Sequence, residues 1–309
     1  MFDHFVVSVV VCPVLVALAV RWLADRLRPE AAVTVLVLSI VTASAACLVS
    51  LGAFALKAVA EVHAVGLWLG YSDAVVRADT EREPWVSVLS ASLFVAAVAG
   101  LVRVWRLHRR EMHVTREFRG LPVDADRVTM IDDARAEAFA VPGPPGRVVV
   151  TTGMRSVLDD QQYGALLAHE RAHLDSRHHA LVLFARLAAA VHPVFWGLTR
   201  RIDFLVERAA DERAAEQLGD RRVVARAIGA AALSASEARL GLSMAPGRRD
   251  LRGAGVVPRR VASLLAPRCA ARLLTLVAVP VAVAAGSVIW TGECVADFGQ
   301  LLYAAGMLH

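Results

Sequence analysis

The sequence predicts a mainly α-helical membrane protein, with four transmembrane helices and a cytoplasmic α+β domain inserted between the third and the fourth. Its 309 residues are 57% hydrophobic and have a mean hydropathy of +0.51, which is high for a soluble domain. The apolar residues are concentrated in four runs of about 20 residues each. Between the third and fourth runs lie roughly 160 residues of mixed sequence, enough for one modest core.

Each apolar run is long enough to cross a hydrocarbon core about 30 Å thick as a helix. Acidic Asp3 precedes the first run and three more runs follow it, so we do not expect a cleaved signal peptide. Pro13 and Pro280 interrupt two runs, which membrane helices tolerate. The four predicted spans are residues 4–23, 31–54, 85–105 and 271–290.

Charged residues predict the orientation of the spans. Arginines follow the first and third spans and precede the fourth, whereas the 56–84 loop is net acidic and the tail after residue 290 has no Lys or Arg. The positive-inside rule therefore places both termini outside the cell membrane. The predicted domains are 1–106 with three transmembrane helices and short loops, 107–268 in the cytoplasm, and 269–309 with the fourth transmembrane helix and a short extracellular tail.

Composition argues against several classes of function. The net charge of +5 comes mostly from the arginines beside the spans, and no basic face with interleaved aromatic residues is visible, so direct nucleic-acid binding is not expected. The span interiors hold almost no polar residues, which disfavours a transport protein. The four cysteines include no CxxC pair, so we predict neither a cysteine metal site nor a disulfide framework.

The cytoplasmic segment begins with strand-like sequence and continues with helices. Residues 127–131 (RVTMI) and 147–152 (RVVVTT) predict short strands, with a Pro/Gly-rich loop at 141–146 between them. From Asp159 onward the pattern is helical, and Gly219 predicts the end of the last of these helices.

Residues 169–173, His-Glu-Arg-Ala-His, fit the pattern HExxH. On a helix, His169 and His173 lie on one face, one turn apart, where their imidazoles can share one Zn²⁺ at about 2.0–2.1 Å. Glu170 can take a proton from a water at the metal. The alternative is a chance match in an amphipathic helix; we favour zinc, because Leu166 and Leu174 give this helix an apolar side to bury.

A third protein ligand would leave one position at the metal open, and His179 is one candidate. It completes HExxHxxSxxH, but on a straight helix it lies roughly 120° round from His173. Ser176 does not favour the sharp turn that would bring it back, as a glycine would. We therefore expect residues 177–179 to form a solvated helix end.

Glu207 is the better candidate. It begins Glu207-Arg208-Ala209-Ala210-Asp211, so Glu207 and Asp211 share one helical face. Asp211 could accept the free ring N–H of a ligating histidine and fix its orientation. The alternative is an exposed, charged helix, since other acidic and basic residues surround the pair.

The apolar stretch 180–198 has the length of a fifth span. A fifth span would separate Glu207 from His173 by a bilayer, and one ion cannot be shared across it. We therefore expect a buried helix, or one that dips into the membrane and returns. Arg186, His192 and Pro193 favour the buried helix, with His192 in a core or turn rather than at the metal.

The stretch AFAVPGPPGRVVVTTGMRSVLDDQQYGALLAHERAHLDSRHH, followed by HPVFW and ERAADERA, resembles the membrane-anchored gluzincins of the M56 (BlaR1-type) and M48 (HtpX/Ste24-type) peptidase families over roughly residues 125–220. The four-span layout is more similar to M56. The resemblance implies one Zn²⁺ held by His169, His173 and Glu207, with Glu170 as catalytic base and Asp211 supporting a ligand. It also implies that Val148, Val149 and Val150 form the edge strand that binds the substrate backbone. Arg260, in the segment RRVASLL, would help to stabilise the oxyanion.

The resemblance implies a membrane-anchored zinc metallopeptidase with a gluzincin-like domain that cleaves a cytoplasmic or membrane protein; similarity to M56 suggests a transcriptional repressor as substrate. The only lysine, Lys57, lacks a serine three residues before it, so no S-x-x-K motif exists and no β-lactam-binding domain is predicted. The alternative function is a non-catalytic membrane sensor or scaffold that keeps the zinc site, against which the intact Glu170 argues.

Overall fold

The computed structural model describes residues 2–124, 126–242, 256–266 and 273–307. It is mainly helical, with a small sheet. Within the described residues, four helices are long and apolar enough to cross a membrane, in agreement with the four predicted spans: Phe2–Leu23, Pro29–Ala60, Trp85–His113 and Val277–Ala304. The predicted domain boundary at 268/269 lies outside the described residues.

The helices on the amino-terminal side of the sheet are α1 (Phe2–Val6) and α2 (Cys12–Leu23), which are continuous through a π-helical turn, then α3 (Pro29–Ala60), α4 (His63–Leu69), α5 (Asp73–Ala78) and α6 (Trp85–Glu117). The strands are β1 (Val128–Ile131), β2 (Ala138–Val141) and β3 (Arg147–Thr151). After them come α7 (Thr152–Ser156), α8 (Asp160–Asp175), α9 (His178–Val191), α10 (Trp196–Leu218), α11 (Arg221–Leu242), α12 (Val256–Leu265) and α13 (Leu273–Ala304).

Two membrane helices are longer than their apolar runs. Helix α6 continues past the predicted third span to Glu117, which carries it out toward the sheet. Helix α13 continues to Ala304, so most of the tail that we expected after residue 290 is helical. Its end packs on the loop between α3 and α6, where the N–H of Ser72 donates to the carbonyl of Ala305 at 2.9 Å.

Helix α3 lies at the centre of the bundle and packs against α2, α6 and α13. Its buried side chains Leu36 and Ile40 form one core with Val16 and Val20 of α2. The same core takes in residues of α9 and α10, so the membrane helices and the segment that follows the sheet are a single packed unit.

Helices α9 and α10 form a hairpin that packs against the first two spans. At its tip Phe195 is buried in their shared core, whereas Trp196 is 66% exposed. Ser44, in the middle of α3, donates to the carbonyl of Ala188 at 3.1 Å. His192 lies 2.9 Å from the carbonyl of Val9 in the first span and also caps the turn, which confirms it as a turn histidine. The stretch 180–198 therefore contains most of α9, a short 3₁₀ turn and the first residues of α10. The chain returns to its starting level, because Nε2 of His173, just before α9, lies 3.6 Å from a carboxylate oxygen of Glu207 in α10.

The sheet has the strand order β1-β3-β2. Strand β1 pairs parallel with β3, and β2 pairs antiparallel with β3. Strands β1 and β3 confirm the two predicted strands, whereas β2 was not predicted. Val148, Val149 and Val150 lie in the central strand and are at most 1% exposed, so the expectation that they form an edge strand is wrong. The edge strands of the described sheet are β1 and β2, and β2 packs against the HExxH helix α8.

Helix α8 follows β3 after one short turn. The Thr151 side chain caps α7 by accepting from the N–H of Met154. Asp159 and Gln162 then form a capping box at the start of α8, so the amino-terminal N–H groups of this helix have partners. These two caps fix where the helix with HExxH begins relative to the sheet.

Gly153 is required where β3 passes into α7. A Cβ atom there would lie 2.2 Å from the carbonyl oxygen of Ala134 and 2.8 Å from that of Arg135. We predict that Gly153→Ala lowers the free energy of unfolding by about 1–3 kcal/mol or more, because backbone must shift to make room. Gly164→Ala on α8 is the matched control: nothing lies within 4 Å of its Cβ position, and alanine favours a helix by about 1 kcal/mol. Thermal unfolding of the full chain in detergent measures both; equal stability of the two variants would contradict the prediction.

Candidate metal centre

Small side chains allow α8 and α10 to approach closely. Ala165 and Ala168 of α8 and Ala214 of α10 are each at most 3% exposed and belong to one core cluster. His169 and His173 lie one turn apart on α8, opposite Glu207 of α10. Among the described residues, these three form a group whose ligand atoms lie within 4.8 Å of one another.

The distances fit a tetrahedral metal site. The two Nε2 atoms of His169 and His173 are 3.1 Å apart. The carboxylate oxygens of Glu207 lie 3.7 Å from Nε2 of His169 and 3.6 Å from Nε2 of His173. Bonds of about 2.0–2.1 Å at the tetrahedral angle place ligand atoms about 3.3–3.4 Å apart. Two imidazoles and one carboxylate therefore fit one Zn²⁺ with a fourth position open.

Asp211 holds the other side of His169. Its Oδ1 atom lies 2.9 Å from Nδ1 of His169, and its side chain is almost completely buried. With Nδ1 turned to a carboxylate, Nε2 faces Glu207 and the metal position. The alternative of an exposed, charged helix is thereby excluded, since Asp211 is buried and both carboxylates face the histidines.

Arg260 of α12 connects the two carboxylates. Its Nε and Nη2 atoms donate to Asp211 at 2.8 and 2.6 Å, and Nη1 lies 2.8 Å from Glu207 Oε2. A guanidinium with all three nitrogens on carboxylates positions those carboxylates. Its expected role on an oxyanion stays a prediction, and the contacts favour positioning instead.

The charges around the site follow from these contacts. Burial raises the pKa of Glu207, but the neighbouring His169 and the charge of Arg260 outweigh it and lower the pKa to about 2. Burial lowers the pKa of His169, yet the carboxylates of Asp211 and Glu207 raise it to about 9. Without metal, a pKa of about 9 favours the charged imidazole of His169, with a proton on both ring nitrogens, and metal binding at Nε2 must displace the proton there.

Glu170 lies on the wall of a cavity of about 810 Å³ that also contains the two histidines and Glu207. Burial raises the pKa of its carboxyl to about 7. The backbone N–H of Ala140, on β2, faces this carboxylate and acts in the opposite direction, lowering the pKa. A carboxyl group whose pKa lies near neutrality is suited to take up and release a proton.

His178 is a residue of the site that sequence reasoning missed. Helix α8 ends at Asp175, and Arg177 adopts a left-handed conformation with φ of 50°, so the chain does turn sharply here. The turn buries His178 to 3% exposure and places its Nδ1 atom 3.0 Å from Nδ1 of His173. The expectation of a solvated helix end is wrong for His178, while His179 is exposed and makes no contact that would support it as the third ligand.

Both histidines of this pair are neutral. Burial lowers the pKa of His173 to about 3 and that of His178 to about 4. One neutral imidazole can donate from Nδ1 and the other can accept. If Nε2 of His173 faces a metal, its Nδ1 carries the hydrogen and His178 accepts it.

Residues 105–210 match the model of peptidase family M48. The match supports a relationship of this segment to the M48 peptidase family. It runs from the last turns of α6 through the sheet and the HExxH helix to α10, and thus contains His169, His173 and Glu207. M48 peptidases are zinc-dependent, which agrees with the geometry of these three residues. Together with the four apolar helices, the match supports a membrane-associated metallopeptidase in general terms; the resemblance to M56 is not confirmed. No curated protein and no solved structure matches the chain.

We predict that His178→Ala weakens zinc binding about 10- to 100-fold, because the hydrogen bond that orients His173 is lost. His178→Asn places an amide oxygen near the position of Nδ1 and should restore most of the affinity. The exposed neighbour gives a matched control, and His179→Ala should bind zinc like the wild type. Competition with a chromophoric chelator measures the affinity.

Thermal unfolding of the metal-free variants separates a positioning role from a structural one. A positioning role predicts that His178→Ala loses affinity by much more than it loses metal-free stability. Wild-type zinc affinity in His178→Ala would show that His178 does not position His173.

Proposed function

We propose that the chain is a membrane-anchored zinc endopeptidase that hydrolyses peptide bonds in a cytoplasmic or membrane protein. The observation that supports it best is the convergence of two imidazoles and a carboxylate, from helices α8 and α10, beside a half-buried glutamate. Under this proposal, His169, His173 and Glu207 are the metal ligands, Glu170 is the catalytic base, and Asp211, Arg260 and His178 position the ligands.

A Zn²⁺ ion in this site would polarise the scissile carbonyl and lower the pKa of the attacking water to about 7. Glu170 would accept a proton from that water and deliver it to the leaving amine. Asp211 keeps the Nδ1 proton of His169 in place, and His178 does the same for His173. Arg260 holds the carboxylates of Glu207 and Asp211 against the repulsion between them.

The edge strand β2 gives the substrate a place to bind. The cavity of the site is lined by Ala138, Phe139 and Ala140 of this strand, and only its other edge pairs with β3. The N–H of Ala140 points into the cavity, so that of Ala138, two residues earlier, points the same way. An extended peptide can therefore add to β2 and bring its backbone to Glu170.

The position of the cavity relates the site to the membrane. Its wall includes His108 and Met112 of α6, beyond the third apolar run, and Leu183 of α9. A second cavity of about 270 Å³, lined by Leu107 and Trp196, shares part of that wall. A substrate can thus be a soluble protein or a membrane protein cut close to its span. The charge distribution supports a cytoplasmic site, with both termini outside the cell membrane. A transcriptional repressor, as the M56 resemblance suggests, is one soluble substrate that this site could accept.

We predict that Glu170→Gln retains zinc but lowers cleavage at least about 100-fold, because the proton transfer is lost while the three ligands remain. Zinc content and hydrolysis of fluorescein-labelled casein are measured on the full chain in detergent. Glu137→Gln, the same substitution at an exposed position outside the cavity, should leave both unchanged.

The same measurement distinguishes the alternative function, a sensor or scaffold that keeps the metal without catalysis. A zinc-loaded wild type that cleaves neither casein nor itself, with an identical result for Glu170→Gln, would favour the sensor and contradict the peptidase.

The role of β2 has its own test. Ala138→Pro removes an N–H that points away from β3, so the sheet can keep its pairing while the substrate loses a hydrogen-bond donor. We predict a higher KM for casein with a smaller change in kcat. Ala138→Val keeps the N–H and should have the KM of the wild type. An unchanged KM in Ala138→Pro would exclude binding along this edge.

A further inference from the structure

A third cavity lies on the opposite side of α10 from the metal centre. Its volume is about 280 Å³, and its walls come from the link between α2 and α3, from α10, and from the ends of α11 and α12. Five arginines line it, which is unusual for so small a space: Arg26, Arg28, Arg208, Arg213 and Arg221.

Most of the carboxylates in this wall already have a cationic partner. Glu30 pairs with Arg213 at 3.3 Å, and Glu212 pairs with Arg221. Asp25 pairs with Arg201, which lies outside the cavity. Glu216 also has an interaction partner.

Three of the five arginines are left over from this pairing. Among the described residues, Arg26, Arg28 and Arg208 have no carboxylate within ion-pair distance. The charges of the wall therefore leave an excess of positive charge around the cavity.

Buried hydrogen-bond donors point to the same conclusion. The Nε atoms of Arg208 and Arg221 are buried and have no hydrogen-bond partner within the part of the chain that the structure describes. Such orphan donors are rare in proteins and call for an acceptor that the chain does not supply. Helix α3 also begins at the cavity, and its cap residue Arg28 makes no side-chain hydrogen bond to the first turn. The free N–H groups of a helix start favour an anion.

The cavity lies where two membrane helices end. The first candidate span ends at Leu23 and the second begins at Pro29, so the residues between them lie at the level of lipid headgroups. Anionic headgroups attract arginines at this depth.

We propose that the cavity binds a phosphate-bearing anion, held by the guanidinium groups of Arg28 and Arg208. The anion is either a phospholipid headgroup or free phosphate, because the chemistry of recognition is shared. Arg208 directly follows Glu207, so the bound anion ties the α2–α3 link to the helix that carries Glu207. The site is independent of zinc and of peptide cleavage.

The test uses the full chain in dodecyl maltoside, a detergent without phosphate. Thermal unfolding is followed during titration with inorganic phosphate, with phosphatidylglycerol and with phosphatidylcholine, at constant ionic strength. We expect protection by phosphatidylglycerol or by inorganic phosphate. Protection by phosphatidylglycerol alone identifies a headgroup site, and full protection by inorganic phosphate identifies a free-anion site. Equal protection by phosphatidylcholine and phosphatidylglycerol would reduce the effect to lipid packing and overturn the proposal.

Substitutions locate the site. Arg208→Gln and Arg28→Gln should each raise the concentration for half-maximal protection about tenfold, as expected for losing one charged hydrogen bond. The matched control is Arg226→Gln, which removes an exposed arginine of α11 and should keep the wild-type midpoint. No protection in the wild type, or the same shift in the control, would overturn the proposal.

Discussion

The close packing of α8 on α10 is the constraint on which the rest of the site depends. The imidazoles of His169 and His173 belong to one helix and the carboxylate of Glu207 to the other, so their ligand atoms converge only if the helices approach closely. Alanines at the contact permit this, because larger side chains would separate the helix axes. The buried Asp211 and its bond to Arg260 then fix the rotation of α10 about its axis, since that carboxylate must face both His169 and α12.

Local patterns in the sequence were sufficient for much of the fold and for the ligands. Hydropathy located the four spans, because a helix in lipid needs a continuous apolar run and little else. HExxH was visible because both histidines lie within one turn of one helix. Glu207 was proposed as a ligand from its spacing to Asp211 and from the resemblance to the gluzincins, and the structure brings its carboxylate to both histidines.

Features that depend on distant parts of the chain were missed or misplaced. Strand β2 has only four residues, two of them alanine, and it is extended because it pairs with β3. Since β2 was not predicted, Val148, Val149 and Val150 of β3 were expected in an edge strand. His178 was assigned to solvent because nothing in the sequence shows that Arg177, a residue with a Cβ atom, adopts a left-handed conformation. The resulting change of chain direction places the ring of His178 against that of His173, while His179 is exposed.

Helix α10 begins at the tip of the hairpin, next to Phe195 in the core shared with the first two spans, and reaches Glu207 eleven residues later. At 1.5 Å per residue, this part of the helix spans roughly 16 Å between the hairpin tip and Glu207 of the candidate metal centre. Because one helix packs on the spans at its start and carries Glu207 further along, a tilt or sliding of the spans would change the distance between that carboxylate and the imidazoles of His169 and His173.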